Sequence, residues 1–64
     1  MENISKENYL KVIFNREEEN KKPVPTSYLA EKLNVSRSAI SDMAKRLSEE
    51  EYVKYEKYHG IQLL

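Results

Sequence analysis

The apolar residues of this chain change their spacing once, and abruptly. Up to about Glu50 they recur about every 3.6 residues, whereas from Tyr52 onward they alternate. Before the change, Leu29, Ala30 and Leu33 mark the apolar face of a short helix with Thr26 as a natural N-cap after Pro25. Asn34 tolerates the left-handed backbone that ends many helices, Val35 is expected to be buried, and Ser36 caps again. From Arg37 to about Glu50, Ile40, Met43, Ala44 and Leu47 fall on one side of a further helix. Helix, three-residue turn, helix is the spacing of a helix-turn-helix, and Ala30 suits the place where the two helices cross closely.

After the change, Val53 and Tyr55 point one way and Lys54 and Glu56 the other. Lys57-Tyr58-His59-Gly60 can form a turn, with Gly60 supplying the permissive backbone, and Ile61-Gln62-Leu63 returns as a second strand. Upstream, Ser5 is placed to cap a helix carrying Glu7 in its first turn and Tyr9, Leu10, Ile13 and Phe14 at helical spacing. That helix should fade near Asn20, since Lys21-Lys22-Pro23 forbids continuation, and Val24 is expected to be buried on the way into the next helix. The expected fold is mainly α with a small β-hairpin: a winged helix-turn-helix of three helices and a two-stranded wing, one domain over residues 1–64.

A chain of this length buries only about 60% of the surface its unfolded form exposes. It has no cysteine, which excludes a disulfide framework and a thiolate zinc site. No apolar stretch approaches a membrane span, and Met1-Glu2-Asn3-Ile4-Ser5 lacks the regions of a signal peptide. The expectation is a soluble, cytoplasmic protein with no membrane partner.

Eleven basic residues balance eleven acidic ones, which argues against a nucleic-acid partner until their distribution is considered. The acids cluster in Glu17-Glu18-Glu19 and Glu49-Glu50-Glu51. Between these runs lie Lys21, Lys22, Lys32, Arg37, Lys45 and Arg46 against only Glu31 and Asp42. For any single lysine a solvated helix face is the plain explanation; a shared surface requires the helical geometry. With Ile40, Met43 and Leu47 as the core stripe of the third helix, the opposite face carries Ser38, Ser41, Asp42 and Lys45, with Arg37 and Arg46 on the shoulders. Such a face suits a major groove: serines bond phosphates or base edges, and the cations neutralise phosphates.

Asp42 has two open readings, acceptance from a cytosine amino group or local pairing with Lys45 or Arg46. Arg37 near a helix N-terminus opposes the helix dipole and is easier to understand beside a phosphate. In the wing, Lys54, Lys57 and His59 lie on or beside the hairpin tip, where His59 is either an exposed turn residue or a backbone contact, and Tyr58 either touches a partner or covers the core. The candidate DNA-binding set is Thr26, Ser36, Arg37, Ser38, Ser41, Asp42, Lys45, Arg46, Lys57 and His59. A lone His, a single Asp and a single Gly leave neither a triad nor a phosphate cradle, so no enzymatic activity is expected. The five tyrosines are not interleaved like the stacking platform of a single-strand binder.

Three stretches point further: Asn8–Phe14, Thr26–Ser36, and Leu47 followed by Tyr52–Leu63, where Tyr58-His59-Gly60 before the last strand is the most specific piece. Over Asn8 to Leu63 they resemble the N-terminal domain of the diphtheria-toxin-repressor family, metal-dependent regulators of iron and manganese uptake. Glu51-Tyr52 is similar to the manganese-regulator branch. The resemblance implies a homodimeric repressor on a palindromic operator, with DNA contacts at Ser36, Arg37, Ser38, Ser41, Asp42 and Arg46. It also implies metal ligands on the first helix, yet those places hold Asn8, a weak donor, and Lys11, which cannot ligate when protonated. No cofactor is therefore expected in this chain; manganese or iron would require a C-terminal metal-binding domain, without which the fragment is expected to be monomeric. The competing expectation, favoured by zero net charge and Glu49-Glu50-Glu51, is a winged helix used for protein–protein contact or dimerisation without DNA.

Overall fold

In the computed structural model, which describes residues 4–57 and 59–64, three helices precede one antiparallel hairpin. They are α1 (Lys6–Asn20), α2 (Thr26–Leu33), α3 (Arg37–Glu49), β1 (Val53–Glu56) and β2 (Gly60–Leu63). Tyr58, for which a tip contact or a core cover was expected, lies outside the described residues.

The two serine caps form as their sequence context suggests. The Ser5 hydroxyl accepts from the Asn8 N–H at 3.3 Å, and that of Ser36 from the Ala39 N–H at 3.1 Å. Thr26 does not cap α2. The cap position is Pro25, extended at φ −66 and ψ 148, and Thr26 is the first helical residue. Proline before the helix already presets that extended turn, so α2 starts one residue earlier in register than a threonine cap requires and has no side-chain cap bond.

A left-handed residue follows each helix: Lys21 (φ 58) and Asn34 (φ 58) at the caps of α1 and α2, and Glu51 (φ 64) one residue beyond the Glu50 cap of α3. After α2 the Val35 N–H reaches the Ala30 carbonyl at 2.9 Å and Asn34 N–H the Glu31 carbonyl at 3.3 Å; after α3, Tyr52 N–H and Glu51 N–H repeat the pattern on Leu47 and Ser48. These paired bonds satisfy carbonyls that a helix end otherwise leaves orphaned. Val35, held at the corner of the turn, is only half-buried, with one side against the core instead of the full burial expected.

The core gathers Tyr9 and Ile13 from α1, Leu29 and Ala30 from α2, Ile40, Ala44 and Leu47 from α3, and Val24, Val53 and Ile61 from the connector and hairpin. Ala30 is 8% exposed at the α2–α3 crossing. Phe14, counted with the apolar stripe of α1, is instead 51% exposed, because it follows Ile13 directly and is turned about 100° away from it.

Two further departures set the wing in place. Gly60 belongs to β2, opposite Glu56, and not to the turn. Val24, read as a lead-in residue, pairs with Ile61 in an isolated antiparallel bridge, each N–H donating to the other's carbonyl at 2.9 Å. The connector thus lies against β2 on the side away from β1, and only a glycine fits next to it. A Cβ on Gly60, at φ 119, would stand 2.7 Å from the Val24 carbonyl oxygen. Among the described residues, no helix is long and apolar enough to cross a membrane.

Opposite outcomes are expected at two of the residues with positive φ, Gly60 and Glu51. Gly60→Ala must push the connector off the wing and should lower the unfolding free energy by at least about 2 kcal/mol in urea melts. Glu51→Gly relieves an exposed left-handed residue and should raise it by about 0.5–1 kcal/mol.

Candidate nucleic-acid interface

α3 presents its polar residues because its apolar ones are consumed from beneath. Ile40 and Ala44 are fully buried and Leu47 nearly so, and this stripe turns Arg37, Ser38, Asp42, Lys45 and Arg46 into solvent. Ser41 lies on the shoulder, half-buried. Ser36 spends a lone pair on capping the helix and so first fixes where α3 begins. A helix with side chains is about 10–12 Å across, close to the width of a B-form major groove.

The ion pairs found lie elsewhere. Glu50 pairs with Lys6 at 3.3 Å, Glu19 with Arg16 at 3.9 Å, Glu18 with Lys21 at 3.5 Å and Glu56 with Lys54 at 3.2 Å. The Glu17 carboxylate accepts from the Leu63 N–H at 2.8 Å and ties the end of β2 to α1. Lys6 also sits 4.2 Å from the centroid of the Tyr52 ring, and its ammonium is held above its ordinary pKa by the Glu50 carboxylate first and Tyr52 second. Among the described residues, Arg37, Lys45 and Arg46 join no ion pair. The middle residue of the Glu49–Glu51 run is therefore engaged with α1, while the cations of α3 stay available.

The hairpin brings more of the predicted residues together. Thr26 from the start of α2 and Lys57 and His59 from the wing line one open cleft of about 340 Å³, together with Pro25, Tyr55, Gly60 and Glu56, whose carboxylate is paired with Lys54. Lys57 and His59 are exposed and Thr26 half-buried. The first amides of α2 have no side-chain cap, so this cleft also borders the positive end of a helix dipole. A larger cleft, about 480 Å³, between the end of α1 and β2 contains none of the candidates.

Sequence reasoning placed Tyr9 in the core but missed what its hydroxyl does. It donates to the Ile40 carbonyl of α3 at 3.0 Å across 31 residues and so anchors the exposed helix to α1. A tyrosine where phenylalanine would fill the same space was the available signal, because a buried hydroxyl needs a partner.

The donors for a metal do not fit. Asn8 and Lys11 both lie exposed on α1, one offering an amide oxygen and the other an ammonium. Among the described residues, no three His, Cys, Asp or Glu side chains gather to hold an ion.

Three helices, a tight turn between the second and third, a capped and outward-facing α3 and a docked hairpin define a winged helix-turn-helix protein. The family described as "Iron dependent repressor, N-terminal DNA binding domain" matches residues 3–61. The chain belongs to that family of DNA-binding domains. It is 46% identical over 57 residues to an uncharacterised HTH-type transcriptional regulator of Methanocaldococcus jannaschii, covering 89% of this chain and 46% of the relative. It is 37% identical over 59 residues to the HTH-type transcriptional regulator MntR of Oceanobacillus iheyensis, covering 92% of this chain and 40% of that protein. The chain thus spans less than half the length of these curated relatives.

Tyr9→Phe is expected to cost about 0.5–1.5 kcal/mol of stability at neutral pH. Burial, aided by nearby Tyr55, pushes the Tyr9 phenol above its ordinary value of 10.0, so the folded state holds the proton more tightly than the unfolded one. That contribution is intact below pH about 10 and is lost as the pH rises further. Urea midpoints of the wild type should fall more steeply above that pH than those of Tyr9→Phe.

Proposed function

We propose that this domain reads an operator by laying α3 in the major groove while its wing and the start of α2 hold the flanking phosphates. Arg37, Ser38, Ser41 and Asp42, in the N-terminal half of α3, meet base edges and the nearest phosphates, since recognition helices present that end to the bases. Lys45 and Arg46 meet the backbone further along. Ser36 at the cap and Thr26, Lys57 and His59 around the cleft take the adjoining phosphates. Glu49, at the last position of α3, lies at the end of the helix opposite the one presented to the bases.

One observation carries this reading: an exposed α3 face whose three cations join no ion pair among the described residues, the ion pairs found lying elsewhere. The net charge of zero is no obstacle, because phosphates respond to the local field of this face. Docking of a protein on α3 is less well supported. Among the described residues the large apolar side chains that remain exposed are Phe14, Tyr52 and Leu64, and none is on α3.

By likeness to its relatives, the domain acts within a homodimeric, cytoplasmic repressor of metal-uptake genes that recognises a palindromic operator. It does no chemistry on its ligand, and manganese or iron control would require a C-terminal metal-binding domain, with ligands other than Asn8 and Lys11.

Fluorescence anisotropy on labelled duplexes between about 50 and about 200 mM salt tests the placement. Each phosphate contact contributes about −0.9 to the slope of log affinity against log salt. Arg37→Ala and Arg46→Ala should each weaken binding and flatten that slope by roughly one contact. A wild type that ignores every duplex at low salt yet self-associates on concentration would refute this placement in favour of protein docking.

A further inference from the structure

We infer that Asp42 is a base-selecting residue that commits the operator to a cytosine in the stretch facing the middle of α3. The inference rests on the placement of α3 in the major groove and deepens it. Asp42 is exposed near the centre of the outward face, one turn beyond Ser38 and one turn before Arg46, a stripe spaced by about 6 Å per four residues. Lys45 and Arg46 stand three and four positions on, where local pairing is geometrically available. The chain forms such pairs at Arg16–Glu19 and Glu18–Lys21, but among the described residues Asp42 joins none. Its carboxylate is therefore left facing the ligand, uncompensated by its own helix.

A carboxylate between two phosphate backbones is repelled unless it meets a donor, and it can only accept. The major groove offers two donors, the amino groups of cytosine and adenine. Adenine sets its N7 acceptor beside the amino group, and guanine and thymine present acceptors to the same position. Cytosine alone offers a donor without an adjacent acceptor. Its paired guanine shows O6 and N7 on the opposite strand, the bidentate target of a guanidinium, and Arg37 lies on the shoulder of the same face. Asp42 and an arginine thus divide one C·G pair between them, and the acid limits which sequences the cations can hold.

Selection from a randomised duplex library at low salt, with the wild type, Asp42→Asn and Asp42→Ala, tests this directly. The wild type should enrich duplexes with a cytosine at one position and lose roughly 5- to 150-fold in affinity when that pair is changed. Asp42→Asn should move the preference at that position to adenine, which an amide contacts through both N6 and N7. Asp42→Ala should erase the preference there and keep the others. The site is exposed, so thermal melts of both variants should match the wild type. Variants that select the same base as the wild type, or bind every duplex more tightly by one common factor, would show that Asp42 only repels phosphates; DNA binding by α3 would stand and the inference would fall. A wild type that enriches nothing removes the placement of α3 itself, and the inference with it.

Discussion

Two hydrogen bonds of 2.9 Å, exchanged between Val24 and Ile61, hold the wing to the rest of the molecule. A hairpin of two four-residue strands is marginal in water by itself. Here it is pinned by backbone pairing on one edge of β2 and by burial of Val53 and Ile61 underneath. The pairing demands that the connector pass against Gly60 at a distance no side chain permits. Because Val24 lies two residues before α2, the same contact sets the wing beside the first turn of that helix. Thr26, Lys57 and His59 then share a cleft although more than thirty residues separate the helix start from the wing.

A second constraint is electrostatic. A balanced charge count suggests a surface indifferent to polyanions, yet the structure separates the signs. Glu17 is used on a strand amide, Glu18 and Glu19 on neighbours in α1 and its cap, and Glu50 on Lys6. Exposed pairs of this kind add little to stability, on the order of 0–1 kcal/mol each. Their consequence is for the field, since each paired carboxylate adds less to the negative potential that a phosphate backbone would meet. Among the described residues Asp42 joins no such pair.

Much of the fold is legible locally. Ser5 and Ser36 cap because a short hydroxyl before an apolar repeat has amides within reach. Asn34 ends α2 because its side chain tolerates a left-handed backbone. The same reasoning is silent at Lys21 and Glu51, which adopt that conformation with no residue preference for it, driven by the bonds that close the helix ends. Thr26 misled because two rules compete there: the hydroxyl favours a cap, but the proline before it had already taken the cap conformation. Phe14 misled because apolarity at helical spacing does not say how wide the buried stripe will be.

The amino-acid sequence by itself determined the element order, the three-residue turn, the outward-facing residues of α3 and the family, all of which follow from spacing within a few turns of chain. Tertiary structure alone decided that Val24 would join the wing, that Gly60 would be needed for close approach and not for turning, that the Tyr9 hydroxyl would anchor α3, and that Asp42 would remain unpaired. Each of these depends on which backbone amides and charges meet across long separations, and periodicity carries no information about such meetings. They are settled only when burial of one shared core brings distant segments within hydrogen-bonding distance.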